Sequence, residues 1–111
     1  MFFAPRRGKK PYRQIGVNPS GKYFALAYDE TPPPSIWDSG VKIHSDIQTD
    51  RWTASLAFPL AALLPEGTQA GKSFHANFYR GSPSTKTMLA WSPNFESNFH
   101  VLTRLGKVTL S

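Results

Sequence analysis

The chain has 111 residues, of which 40% are hydrophobic and 14% aromatic, so it can form one domain with a buried core. It has no cysteine, which excludes disulfides, zinc–thiolate sites and thiol nucleophiles. No run of about 18 apolar residues is present, so the sequence predicts no membrane-spanning helix. The net charge of +6 comes largely from five basic residues among the first thirteen. The nearly neutral remainder does not predict a nucleic-acid-binding surface.

The first forty residues predict strands interrupted by proline and glycine. Phe2-Phe3 has the composition of a short strand, and residues 12–17 alternate before a strong turn signal, Asn-Pro-Ser-Gly, at 18–21. Residues 22–28, Lys-Tyr-Phe-Ala-Leu-Ala-Tyr, are apolar enough to predict a strand that is covered on both faces. Three consecutive prolines predict an irregular connection over residues 29–40.

Further strands with period-two alternation are predicted in the rest of the chain. Residues 41–47 predict a half-buried strand. Residues 52–58 predict another, with Trp52 facing the core, and Pro59 ends it because proline cannot donate a ladder hydrogen bond. Single helical turns are predicted for residues 60–64 and 101–105, and strands for 74–79, 88–91 and 107–110.

The fold class follows from the number and spacing of these segments. About seven short strands separated by turns are typical of all-β proteins, and nothing in the pattern indicates a βαβ unit. We therefore expect an antiparallel β-sandwich, with residues 1–111 in a single domain.

Four segments carry a resemblance to a known family. In one of them, a predicted strand begins at Trp52 and is ended by Pro59, and Leu60 and Leu63 follow it. Together, in this order, the segments resemble the family 9 carbohydrate-binding modules and their relatives. The resemblance implies a jelly-roll-like β-sandwich that is incomplete. On this interpretation the chain is a fragment of a longer domain: the front half is absent, and the chain starts at that half's last strand. The segments are Tyr12 to Gly21, Trp37 to Lys42, Trp52 to Leu63, and Gly71 to Val108.

The resemblance also implies a sugar-binding site. Family members that bind sugar stack the pyranose on aromatic rings, because one sugar face is a surface of C–H groups, and fix its hydroxyls with polar side chains. By position in the last segment, Phe99 corresponds to a stacking ring. Two departures stand against this: Gly16 replaces an arginine of sugar-binding members, and Ser55 replaces a usual glutamate. The candidate carbohydrate-binding residues are Phe99, Trp91, Asn77, Arg80, Asn98 and His100.

The same residues have structural interpretations as well. Trp91 and Phe99 could close the core, Asn77 could hydrogen-bond neighbouring backbone, and Arg80 could cap the sandwich or pair with an acid. Trp37 follows the proline-rich connection and is interpreted as a packing residue, although it could also form one wall of a site.

Neither catalysis nor metal binding is predicted. The three histidines, at positions 44, 75 and 100, are far apart and lack metal-ligand spacing, so no metal site and no other cofactor is expected. A small glycoside hydrolase is the least favoured function, because its two carboxylates would have to come from acids that are ordinarily solvated. These acids are Asp29, Glu30, Asp38 and Asp46.

The sequence therefore favours a non-catalytic carbohydrate-binding module over a structural or interaction module of the same fold that binds no sugar. The expected partner is a polysaccharide or oligosaccharide, without nucleic acid or membrane. The expected location is secreted or periplasmic, in an exported bacterial protein, although the first residues do not form a signal peptide. Open strand edges would allow self-association if the front half is missing. The side chains expected to be exposed are Phe2, Phe3, Tyr23, Phe24 and Leu26.

Overall fold

The computed structural model describes residues 1–64, 72–82, 87–92 and 100–110. They form antiparallel strands with two short helical segments, which confirms the predicted all-β fold. A helical turn, α1, spans Leu60–Leu63, and a 3-10 turn spans Leu102–Arg104, as expected from the sequence. The strands are β1 (Phe2–Ala4), β2 (Tyr12–Val17), β3 (Tyr23–Tyr28), β4 (Ser35–Ile36), β5 (Lys42–Ile47), β6 (Trp52–Ala57), β7 (Ser73–Asn77), β8 (Tyr79–Ser82), β9 (Thr87–Ala90) and β10 (Gly106–Thr109).

Six strands form one antiparallel sheet in the order β10-β7-β1-β2-β3-β4. Successive side chains of a strand point to opposite faces, and residues paired across a ladder share a face. Phe3 pairs with Ala76, and both belong to the main hydrophobic cluster together with Ile15. We call this the core face. The opposite face, which carries Phe2 and its ladder partner Gln14, is called the outer face.

Two hairpins and α1 lie against the core face. β5 pairs only with β6, and β8 only with β9, among the described strands. Leu56 of β6 and the adjacent Phe58 pack on the main cluster beside Leu63 of α1. Phe78, which precedes β8, contacts Phe3 with 6.1 Å between ring centroids. The arrangement is compatible with a β-sandwich, whereas a closed jelly roll stays a prediction.

The tryptophan at the centre of the core is Trp37. It is 7% exposed, and its ring stacks on Phe58 with centroids 5.7 Å apart and an interplanar angle of 6°. Its Nε1 atom donates a 2.9 Å hydrogen bond to the carbonyl of Ala62, at the end of α1. The predicted packing role is therefore confirmed. Trp52 faces inward on β6, as expected, but it is only half-buried and lies outside both buried clusters, so its predicted core role is wrong.

The strand predicted for residues 74–79 is divided into β7 and β8. The division follows from Asn77, whose Oδ1 atom accepts a 2.9 Å hydrogen bond from the backbone N–H of Phe78. The Phe78 carbonyl in turn accepts a hydrogen bond from the Trp91 backbone N–H, at 3.0 Å. The chain thus leaves the six-stranded sheet at this point and enters the second hairpin.

Several expectations about exposure are corrected. β3 is not covered along the whole of either face. On the core face Ala25 is buried but Tyr23, near the start of the strand, is 53% exposed, and on the outer face Phe24 is 49% exposed. The exposure of Tyr23 and Phe24 agrees with the prediction. Phe2 and Phe3 are 2% and 4% exposed, so the expectation that they lie open is wrong. β1 is buried because it lies inside the sheet, between β2 and β7, with apolar side chains over both faces.

Candidate functional site

The outer face carries an aromatic patch on β2 and β3. The ladder places Tyr12 opposite Tyr28, and Gly16 opposite Phe24, with Gln14 between them on β2. His100 approaches from the segment before the 3-10 turn, and its ring lies 5.4 Å from that of Tyr28. We call the set Tyr12, Gln14, Phe24, Tyr28 and His100 the aromatic patch.

Two parallel tyrosine rings form the inner end of this patch. Tyr12 and Tyr28 are stacked with centroids 4.5 Å apart and an interplanar angle of 4°. The Tyr12 hydroxyl and the His100 Nδ1 atom share a hydrogen bond of 3.1 Å, and the His100 ring meets Phe2 edge-on at 4.9 Å. These contacts hold the imidazole against the sheet.

Gln14 is oriented by its neighbour. The Tyr28 hydroxyl donates a 2.8 Å hydrogen bond to the Gln14 Oε1 atom, which fixes the amide and directs its Nε2 group away from that hydroxyl. Among the described residues, no hydrogen-bond partner of Nε2 is found. Gln14 therefore offers a positioned donor at the surface of the sheet.

The Phe24 ring lies over Gly16. A Cβ atom at Gly16 would be 2.5 Å from the Phe24 Cζ atom and closer still to Cε1, so the ring uses the space that any side chain would need. An aromatic ring laid across a glycine of the neighbouring strand is a recurring way to protect that glycine. The ring is 49% exposed and borders a cavity of about 310 Å³, whose wall also includes Asn18 and Lys22.

Burial shifts two pKa values in the patch. Burial raises the pKa of Tyr12 above its ordinary value, and the neighbouring Tyr28 raises it further. Burial against the surrounding rings lowers the pKa of His100. Both shifts favour the uncharged forms of Tyr12 and His100 near neutral pH, which suits a neutral polar ligand.

The predicted site residues that the structure describes do not lie together. His100 is on the outer face, in the aromatic patch. Trp91, which is 54% exposed, packs on the other side of the sheet, because a Cβ atom at Gly106 would point to the core face and lie 2.6 Å from its ring. Arg80 is also on that side, with its guanidinium 4.5 Å from the centre of the Trp52 ring. Phe99 and Asn98 lie outside the described residues.

Asn77 is buried and its side chain is fully used. Its Nδ2 group donates to the Ser92 carbonyl at 2.7 Å and to the Tyr79 hydroxyl at 3.1 Å. Its Oδ1 atom accepts from the backbone N–H of Ser92 at 2.8 Å, as well as from Phe78. This geometry favours the structural interpretation of Asn77, as the link between the six-stranded sheet and the second hairpin.

Sequence reasoning did not select Gln14, Phe24 or Tyr28 as site residues. Their alternation on two successive strands was visible, but the pairing of Gly16 with Phe24 depends on the register of the turn at residues 18–21. In that turn the Gly21 N–H donates to the Asn18 carbonyl, and Gly21 adopts a φ of 87° that glycine tolerates. The sequence signal that could have indicated this site is a glycine, Gly16, placed opposite an aromatic residue, Phe24, across a predicted hairpin.

Other chemistry has little support in the described part of the chain. Asp29 forms a 3.1 Å ion pair with Arg13, and no group of three or more histidine and acidic side chains able to hold a metal is found among the described residues. Within the same ranges, no helix is long and apolar enough to cross a membrane.

Comparisons with models of protein families, with curated proteins and with solved structures found no match to this chain.

Proposed function

We propose that the chain is a non-catalytic carbohydrate-binding module whose site is the aromatic patch. The proposal rests on the exposed Phe24 ring, which lies over Gly16 beside a small cavity whose wall includes the polar residues Asn18 and Lys22. A pyranose can place its C–H face on such a ring while its hydroxyls accept hydrogen bonds from the Gln14 amide and the Lys22 ammonium group. The resemblance to the family 9 carbohydrate-binding modules supports the same function.

The affinity is expected to be weak, with a Kd of roughly millimolar to tens of micromolar, because few rings and donors are available. Phe99 and Asn98 lie outside the described residues, so their contacts with sugar stay predictions from the resemblance. The module would belong to an exported protein and hold a polysaccharide or oligosaccharide near a catalytic domain, without a cofactor. This part of the proposal depends on the sequence resemblance alone.

One observation favours a second function, a structural or interaction module that binds no sugar. In sugar-binding relatives an arginine is expected where Gly16 stands, and here the Phe24 ring fills the space into which that side chain would extend. The ring could then serve packing alone, and the exposed apolar side chains of β3 would contact another protein. Titration with sugar separates the two functions.

The test is a titration of the full chain with cello- and xylo-oligosaccharides at millimolar concentration, followed by NMR. Phe24→Ala is expected to abolish the shifts. Ile47→Ala is the control, because Ile47 is 63% exposed on β5 and does not line this cavity, and it should bind like the parent chain. Unchanged spectra with every sugar, or equal loss in both variants, would refute the proposal.

A further inference from the structure

More than half of the basic residues lie in two segments of the chain. Residues 6–13 and 100–110 contain seven of the thirteen basic residues and none of the seven acidic ones. The rest of the chain has six basic and seven acidic residues and is nearly neutral. The net charge of +6 therefore comes from these two segments.

The two segments pack against each other. The Arg7 Nε atom donates a 3.0 Å hydrogen bond to the Leu105 carbonyl. The Gly8 N–H donates another, also of 3.0 Å, to the Leu102 carbonyl. These bonds hold the loop between β1 and β2 on the 3-10 turn, so the basic side chains of both segments belong to one surface. We call it the basic surface, and its members are Arg6, Arg7, Lys9, Lys10, Arg13, Arg104 and Lys107.

Among the described residues, three lysines of the basic surface have no acidic partner. Lys9, Lys10 and Lys107 are exposed, and no described carboxylate forms an ion pair with any of them. Arg13 differs from them, because it pairs with Asp29 at 3.1 Å. Like charges gathered on one surface repel one another, and an anionic ligand relieves this repulsion. The basic surface is therefore complementary to an anion.

The basic surface borders the aromatic patch. Tyr12 comes directly after the loop, lies opposite Tyr28 in the ladder, and bonds through its hydroxyl to His100, the first residue of the second segment. Lys22 is at the opposite end of the patch, where it lines the same cavity as Phe24. Phe24 and Tyr28 are four residues apart on β3, which corresponds to about 13 Å. A ligand that crosses the whole patch thus meets lysines at both ends and is longer than one sugar ring.

An acidic sugar suits this arrangement of rings and charges. Its ring has a C–H face like that of a neutral sugar, and its carboxylate or sulfate lies on the rim. The uncharged aromatic patch can therefore receive the ring while lysines at the ends of the patch receive the anion. Two acids follow Tyr28, but Asp29 is paired with Arg13, which leaves the exposed Glu30 against the three lysines. Single-stranded nucleic acid fits less well, because residues 6–10 have no aromatic side chain between their basic ones for base stacking.

We infer that the polysaccharide held by this module is acidic. The aromatic patch contacts its sugar rings, and the basic surface binds the carboxylate or sulfate groups of sugars that extend past Tyr12. The inference rests on the proposed function and adds the chemical class of the ligand. Its recognition combines ring contact at Phe24 with charge attraction at Lys9 and Lys10.

The test compares three hexasaccharides that share one backbone: cellohexaose and two derivatives, in which every C6 position carries a carboxylate or a sulfate. Binding to the full chain is followed by NMR in about 50 mM and about 500 mM salt. In low salt, at least one acidic derivative should bind at least about tenfold more tightly than cellohexaose. In high salt this difference should fall below about threefold, because salt screens exposed charges.

Two double variants test the location of the charges. Lys9→Gln combined with Lys10→Gln should weaken binding of the acidic derivative by at least about fivefold and binding of cellohexaose by less than about twofold. The control combines Lys42→Gln with Arg51→Gln, which removes the same charge from exposed positions of the hairpin formed by β5 and β6. It should leave every affinity within about twofold of the parent chain. Phe24→Ala should abolish binding of all three sugars.

Equal affinity of cellohexaose and both acidic derivatives would overturn the inference while the proposed function stands. Equal loss in the two double variants, or binding of an acidic derivative that survives Phe24→Ala, would overturn it as well, since net charge alone would then explain the binding. A thymidine heptanucleotide has as many negative charges as the carboxylated hexasaccharide, and its tighter binding would indicate a nucleic-acid site instead. If none of the sugars binds, the proposed function fails and the inference fails with it.

Discussion

The contrast between two tryptophans gives the most direct test of the packing. Trp37 is 7% exposed, stacks on Phe58, contacts Phe3 at 6.2 Å and donates a hydrogen bond to the Ala62 carbonyl. Trp52 is half-buried, and it borders a cleft of about 440 Å³ between β6 and β8. Truncation of the two side chains should therefore have very different effects on the free energy of unfolding.

For Trp37→Ala we expect a loss of about 3–5 kcal/mol, the usual cost of removing a buried aromatic side chain and leaving a cavity. Trp37→Phe keeps a ring but leaves the Ala62 carbonyl without its donor, so a loss of about 1–3 kcal/mol is expected. Trp52→Ala removes fewer packed contacts and should cost about 1–2 kcal/mol. A small domain has about 5–15 kcal/mol in total, so Trp37→Ala could leave little folded protein.

Urea unfolding followed by far-UV circular dichroism measures these differences, with equal slopes required for the comparison. If Trp37→Ala does not fold, Trp37→Phe and Trp52→Phe give the same contrast between a central and a peripheral ring. The reasoning is refuted if the variants at position 52 are as destabilised as their counterparts at position 37.

Two further predictions concern polar groups. Asn77→Ala should lower the free energy of unfolding, measured by urea denaturation, by at least about 2 kcal/mol, because the Ser92 and Phe78 backbone groups that Asn77 binds would lose their hydrogen-bond partner. An unchanged free energy of unfolding would contradict the structural role of Asn77. His100 has a lowered pKa in the fold, so its contribution to stability is fully present above the unfolded value of 6.5 and is lost as the pH falls through the folded value. Stability of the parent chain minus that of His100→Gln, measured between pH 7.5 and 4.5, should thus decrease on acidification. The Met1 amine, whose pKa burial lowers to about 6, titrates in this range too but cancels in the difference, and a flat or rising difference would exclude the His100 effect.

The strands were predictable because their signals are local. Alternation, proline and glycine mark β2, β5 and β6 within a residue or so of their observed bounds. The place of each strand in the sheet was not predictable in the same way. β1 has three residues and is buried between β2 and β7, a position that depends on a partner more than seventy residues away along the chain.

The two tryptophans show the same limit for the core. Trp52 begins a clear alternating strand, which predicts an inward side chain but not how much material lies across from it. Trp37 follows a proline-rich segment with no regular pattern, yet its ring meets Phe58 and its Nε1 meets Ala62, 25 residues later. Burial is set by these distant contacts, which the local pattern does not contain.

His100 is the only residue of the aromatic patch that the sequence analysis selected as a site residue. The resemblance drew attention to residues in the second half of the chain, and those that the structure describes lie on both sides of the six-stranded sheet. The positions that carry the aromatic patch are set by register: Gly16 leaves room, and Phe24 fills it from the facing strand. A glycine is informative here only once its cross-strand neighbour is known.

β2 separates the surface proposed for sugar from the core of the fold. Gln14 and Gly16 point to the outer face and belong to the surface proposed for sugar, whereas Ile15 and Val17 point to the core face and line a cleft of about 440 Å³ between β6 and β8. A strand alternates strictly, so neighbouring residues of β2 serve opposite sides of the sheet. Substitutions only one residue apart therefore act on different parts of the molecule: at Gln14 on the proposed sugar site, and at the fully buried Ile15 on the core.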